Sequence, residues 1–150
     1  MIVDPSALVA MIRGEPDAER FTKVMREMPI LRLSAASYVE LAVVVDGRRD
    51  PVASGSIDDV LRIYRIRLEP LTASQARIAR HAYQTFGKGS GHPARLNLGD
   101  CFSYALARDL GEPLLFKGGD FALTDIEIVI EPIRSRRLSE VMASYGAAAT

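Results

Sequence analysis

The chain has 150 residues, 48% of them hydrophobic and 25% charged, which suits one domain with a sizeable core, and it has no low-complexity stretch long enough to suggest disorder. Nineteen basic residues balance nineteen acidic ones, so a histone-like, charge-driven nucleic-acid binder is excluded. A single cysteine, Cys101, excludes an internal disulfide framework and points to a reducing, cytoplasmic setting; the longest apolar run, near residues 41–45, is too short to span a bilayer, and Asp4 stands where a secretory leader would be basic.

Residues 1–4 read as a short buried strand that runs into a turn. Pro5-Ser6 then opens a helix, because proline's missing N–H would be unpaired in a first turn anyway. Gly14 ends that helix, and Glu15-Pro16 starts another with Phe21, Val24, Met25 and Met28 on its apolar face. A strand is expected at 29–33, then a helix from about 35 to 45 with Ser34 as its cap. Residues 50–56 read as a polar loop, too short to divide domains. A helix at 57–64, a strand at 66–68 and a long helix at 72–86 follow, then a Gly-rich loop at 87–93. The next helix, 97–110, is closed by Gly111, and strands are expected at 113–116 and 126–130. Strands alternating with helices imply an α/β fold with a parallel sheet covered on both faces, whose ligands lie at the carboxyl ends of the strands.

Four acids sit where such a site would form. Asp4 follows the first strand, Asp120 follows a strand and a glycine turn, Asp100 lies in a first helical turn, and Glu40 interrupts an apolar helix segment. Each has an ordinary explanation: Asp100 as a helix cap, Asp120 as a turn residue, Asp4 and Glu40 as solvated acids. Gathered at one sheet edge, however, they would repel one another unless a cation neutralised them. Oxygen donors favour Mg²⁺ or Mn²⁺, while two histidines and one cysteine give little basis for zinc. A cation held this way would assist attack of water on a phosphodiester, with no covalent enzyme intermediate.

The segments Met1-Ile2-Val3-Asp4-Pro5-Ser6-Ala7-Leu8, Ser34-Ala35-Ala36-Ser37-Tyr38-Val39-Glu40, Asn97-Leu98-Gly99-Asp100-Cys101 and Phe116-Lys117-Gly118-Gly119-Asp120-Phe121 resemble the PIN-domain ribonucleases, and among them the VapC toxins of bacterial type II toxin–antitoxin modules. The resemblance runs from Met1 to about Pro132, leaving 133–150 as a tail, helical or disordered. It implies a three-layer α/β/α PIN fold with four to five parallel strands and a Mg²⁺- or Mn²⁺-dependent endoribonuclease. A VapB-type antitoxin partner and a homodimeric toxin are implied with it. Asp4 and Asp100 carry over as principal metal ligands, Glu40 and Asp120 as the remaining catalytic acids, and Ser6 as a support for Asp4, or else a capping hydroxyl. Pro5 departs from the threonine common in the family and removes a hydroxyl and an N–H beside the metal.

Residues 70–99 contain no acid, and their Arg77, Arg80, Lys88 and Arg95 are candidates to contact RNA, or else a solvated face. His81 and His92 read as surface histidines, Tyr83 and Phe86 as core, Cys101 as a buried small hydrophobe, and Asp125 as a turn residue. Two alternatives remain. One is a phosphoacceptor receiver domain, disfavoured because no second acid adjoins Asp4; the other is a PIN-like protein that binds without cutting.

Overall fold

The computed structural model describes residues 1–129, in which very short strands alternate with helices: β1 (Ile2–Val3), α1 (Pro5–Ile12), α2 (Ala18–Glu27), β2 (Arg32–Ser34), α3 (Ala35–Asp46), α4 (Pro51–Ile63), β3 (Arg67–Glu69), α5 (Ala73–Phe86), α6 (Leu98–Leu110) and β4 (Leu114–Leu115). A 3-10 turn follows at Phe121–Leu123. All pairings are parallel, in the order β3-β2-β1-β4, with Ile2 opposite both Arg32 and Leu114 and Leu33 opposite Leu68.

Alternation along the strands splits the core in two. Val3, Leu33 and Leu115 point to one face, where Leu8, Phe21, Met25 and Leu41 of α1, α2 and α3 cover them. Ile2 and Leu114 point to the other, beneath Leu106 of α6, Ala79 and Ala82 of α5, Leu96 and Phe121. Apolar residues on both faces of a parallel sheet require helices on both sides, and the result is the expected three-layer α/β/α arrangement. Arg32 fastens one edge, donating from Nε to Glu112 at 2.9 Å and pairing with Glu69 of β3.

Several boundaries differ from the sequence expectation for identifiable reasons. Residues 50–56 are not a loop; from Pro51 they form the first half of α4. The Asp50 carboxylate accepts from the N–H groups of Val52 and Ala53 at 2.9 and 3.4 Å, Pro51 occupies the first turn, and the Ser56 hydroxyl donates to the Val52 carbonyl at 2.8 Å. A composition that reads as linker is thus a capped helix start. The expected strand at 66–68 lies one residue later, α2 begins at Ala18 after a turn, and of the strand expected at 126–130 the described residues, 126–129, form a single parallel bridge from Ile128 to Leu114. The 132/133 boundary and the tail at 133–150 fall outside the described residues. Among those described, no helix is long and apolar enough to cross a membrane.

Because the Asp50 cap is exposed and touches little else, its removal reports on α4 alone. Asp50→Ala is expected to lower unfolding free energy by about 1 kcal/mol, measured by urea denaturation.

Candidate functional site

β1 ends by handing the chain directly to α1, and Asp4 is the residue at that junction. It is 4% exposed and caps α1, with Oδ1 accepting the Ser6 N–H at 2.9 Å. Its Oδ2 accepts the Ser103 hydroxyl of α6 at 2.6 Å, and Ser103 in turn lies 3.3 Å from the Ser37 hydroxyl of α3. Burial pushes the Asp4 carboxyl above its ordinary pKa, partly offset by the hydrogen bonds from Ser103 and Ser6.

Asp4 opens onto a cleft of about 300 Å³ that Glu40 of α3 and Asp100 of α6 also line, together with Pro5, Ser6, Glu15, Asn97 and Lys117. Asp100 is fixed by a reciprocal cap: the Asn97 N–H donates to Asp100 Oδ2 at 2.8 Å, and the Asp100 N–H donates to Asn97 Oδ1 at 2.9 Å. Glu40 reaches the cleft because position 99 is glycine; a Cβ there would collide with the Glu40 carboxylate. Burial, reinforced by the charges of Asp4 and Asp100, raises the Glu40 pKa, and no hydrogen bond opposes it. Asp100 is pushed up to about 6, chiefly by burial, with the charges of Asp4 and Asp120 adding to the effect. Asp120 is exposed and stands outside the lining of the cleft, yet its field reaches Asp100.

Of the four acids the sequence assigned to one pocket, the structure brings Asp4, Glu40 and Asp100 together and leaves Asp120 exposed outside the lining. Capping and site membership turn out to be compatible, since Asp4 and Asp100 do both. Ser6 supports Asp4 through its backbone, while its hydroxyl accepts the Lys117 N–H at 3.0 Å and ties α1 to the chain leaving β4. Pro5 removes nothing the fold uses, since it sits in the first turn of α1 and the Asp4 carboxylate takes its bond from the next residue. Lys117 pairs with Glu15 across the mouth.

Other residues distribute more widely. Lys88 is near enough for its charge to act on Asp100, Arg77 lines a separate cleft between α5 and α6, and Arg80 and Arg95 are exposed. His92 serves its own loop, its Nδ1 accepting the Ala94 N–H at 3.1 Å. Phe86 packs edge-on against His92, whereas Tyr83, expected in the core, is 44% exposed. Cys101 is fully buried. Asp125, expected to be a simple turn residue, is gripped by α6: Tyr104 donates to it at 2.6 Å and Arg108 lies 3.3 Å away. The roles of Ser37, Ser103 and Gly99 are not visible in the sequence pattern. The one available signal is a serine one helical turn beyond Asp100 on an otherwise apolar side of α6.

The donors facing the cleft from Asp4, Glu40 and Asp100 are all carboxylate oxygens, which fits a hard divalent cation in chemistry and charge. Among the described residues no three His, Cys, Asp or Glu side chains converge on one coordination point.

An acid-lined cleft at the end of a parallel sheet's first strand, in this element order, is the arrangement of a PIN domain; the family model for the PIN domain matches residues 1–127, and the chain belongs to that family. Within the family it is of VapC type. It is 50% identical over 131 residues to Ribonuclease VapC28 of Mycobacterium tuberculosis, a match covering 87% of this chain and 98% of the relative. Ribonuclease VapC42 of the same species is 51% identical over 126 residues, covering 84% and 96%. Among solved structures, the fold is shared with M. tuberculosis VapC20, described as a Sarcin-Ricin loop cleaving toxin, at a TM-score of 0.68, 17% identity and coverage of 87% and 98%. VapBC2 from Rickettsia felis, bound to a DNA fragment from its promoter, matches at a TM-score of 0.68 and 13% identity, covering 87% and 98%. A receiver domain is thereby excluded.

Carboxylates whose pKa is higher in the folded protein than in the unfolded chain bind more protons when folded, so they destabilise the fold as they ionise. Without metal, stability is therefore expected to fall as pH rises from about 4 through about 6, the interval between the ordinary and raised values of Asp100. Saturating Mn²⁺ should abolish that fall, which thermal unfolding with and without EDTA will show. Gly99→Ala should displace Glu40 and blunt the Mn²⁺-induced rise in Tm, while leaving the helix content seen by circular dichroism intact.

Proposed function

We propose that this protein is a Mg²⁺- or Mn²⁺-dependent endoribonuclease that hydrolyses RNA phosphodiester bonds and acts as the toxin of a type II pair. The observation that carries this reading is the gathering of Asp4, Glu40 and Asp100 from three separate elements into one cleft. Kinship at about half identity with proteins named as VapC ribonucleases supports RNA as the substrate. The shared fold of solved chains described as a toxin-antitoxin complex and as VapBC2 supports a VapB-type antitoxin partner, and a homodimeric toxin is part of the same reading.

Asp4 and Asp100 would hold the cation, with Glu40 and Asp120 completing the acidic surround. Bound there, the ion supplies charge neutralisation and Lewis acidity toward a phosphodiester. The rest falls to the protein. Ser103 and the Ser6 N–H fix the direction of the Asp4 oxygens, so that carboxylate needs no reorganisation when substrate arrives. The Asn97–Asp100 cap holds one Asp100 oxygen and leaves the other toward the cleft. Glu40, with no hydrogen-bond partner among the described residues, is the acid best placed to turn toward the ion or orient water. Lys88 sets a positive charge beside Asp100 where a phosphate would enter.

Cleavage of a labelled RNA in Mg²⁺ or Mn²⁺, and its loss in EDTA, tests the reading. Asp4→Asn and Asp100→Asn should each cut activity by more than the ~100-fold that loss of a supporting partner costs. Parent-like cleavage by both variants, or full activity in EDTA, would show the cleft to be inert. Ser103→Ala should cost about 10- to 100-fold and weaken Mn²⁺ affinity in parallel, read by electron paramagnetic resonance titration.

A further inference from the structure

The second cleft, between α5 and α6, has a volume of about 360 Å³ and takes no part in the chemistry proposed for the acidic cleft. Arg77 and His81, one turn apart on α5, share its lining with Arg108 of α6 and the side chain of Thr85. Its single acid, Asp125, is already taken by the Tyr104 hydroxyl at 2.6 Å and by Arg108 at 3.3 Å. Arg77 and His81 are exposed and enter none of the ion pairs among the described residues. The cleft therefore presents unpaired hydrogen-bond donors and a positive field, in a segment, residues 70–99, that has no acid to cancel it.

Its position relative to the acidic cleft is fixed by α6. Asp100, Tyr104 and Arg108 recur at every fourth residue and so run along one side of the helix, which sets Arg108 ~12 Å along the axis from Asp100. Lys88 is close enough for its charge to act on Asp100. A ligand that meets both ends of this track has to be extended and to carry negative charge at repeated intervals. Guanidinium groups suit phosphate oxygens, which they engage through paired N–H donors.

We propose that the α5–α6 cleft is a phosphate-binding subsite that takes the backbone of single-stranded RNA a few nucleotides from the bond being cut, with Arg77 and His81 as its principal donors. The proposal rests on the ribonuclease reading. It makes the length of RNA on one side of the cut a determinant of affinity, through interactions that read backbone and not base sequence.

The test uses the full chain carrying Asp100→Asn, in EDTA, and a fluorescein-labelled single-stranded RNA long enough to span both clefts. Binding is followed by anisotropy at several salt concentrations. Adding Arg77→Glu should weaken binding about tenfold or more and flatten the slope of log K against log salt by about 0.7 for each phosphate that is no longer neutralised. His81→Ala should move both quantities in the same direction by less. Arg26→Glu, an equal charge change on α2 across the sheet, should leave the slope as it was. The proposal is overturned if Arg77→Glu leaves affinity and slope unchanged, if Arg26→Glu weakens binding equally, or if a polyglutamate peptide of the same charge displaces the RNA more strongly than unlabelled RNA does. Cleavage of the same RNA by the parent chain in Mn²⁺ is scored separately: cutting with no Arg77 effect removes the subsite alone, whereas neither cutting nor binding removes the ribonuclease reading with it.

Discussion

A carboxylate at 4% exposure, Asp4, is held at the end of β1 by one backbone N–H and one buried hydroxyl. Leaving such a group unpaired would cost several kcal/mol, so the elements that satisfy it cannot drift. Ser103 brings α6 against β1, and Ser37 brings α3 against α6 at 3.3 Å. Once those two helices are docked, Glu40 and Asp100 share a cleft with Asp4 as a matter of geometry. Two serines meet at this point, and beside them a Cβ at Gly99 would displace the Glu40 carboxylate.

The sheet beneath contributes position more than area. Its strands are two or three residues long, so each places only one or two residues on a given face. Ile2 and Leu114 anchor the α5–α6 layer, while Val3, Leu33 and Leu115 anchor the α1–α4 layer. Burying both faces leaves only the strand ends polar, and Asp4 and Ser34 stand at those ends. The cost of putting acids there is visible in the upward shifts of Asp4, Glu40 and Asp100, which share burial as their leading cause. That cost is mainly desolvation of the carboxylates, with mutual repulsion added at Glu40 and Asp100.

Element type and order were legible because the helices carry strong end signals: Pro5 after Asp4, the Asn97-x-x-Asp100 box, and Gly111 at φ 62° closing α6. Asp50-Pro51 is the same kind of signal, and it was outweighed by the Ser and Gly content that follows; composition averages over residues, whereas a cap depends on one. The three cleft acids were legible through their strand-end and helix-start positions together with a family resemblance. Ser37 and Ser103 were not, because a buried serine on an apolar helix carries no local mark of the distant carboxylate it meets. The destination of Asp125 was hidden for a similar reason. Its partners, Tyr104 and Arg108, lie on a helix whose facing direction only the packed structure defines.

The loop that precedes α6 is closed at its neck: Leu96 donates its N–H to the Phe86 carbonyl and accepts that of Lys88, each at 2.9 Å, and Leu96 itself is fully buried. Between those anchors Ala94 is buried in the same core, while residues 88–91 and Pro93 are exposed. Changes in length or composition confined to the exposed residues 88–91 can thus be absorbed outside the neck, leaving the start of α6, and with it Asp100, where it is.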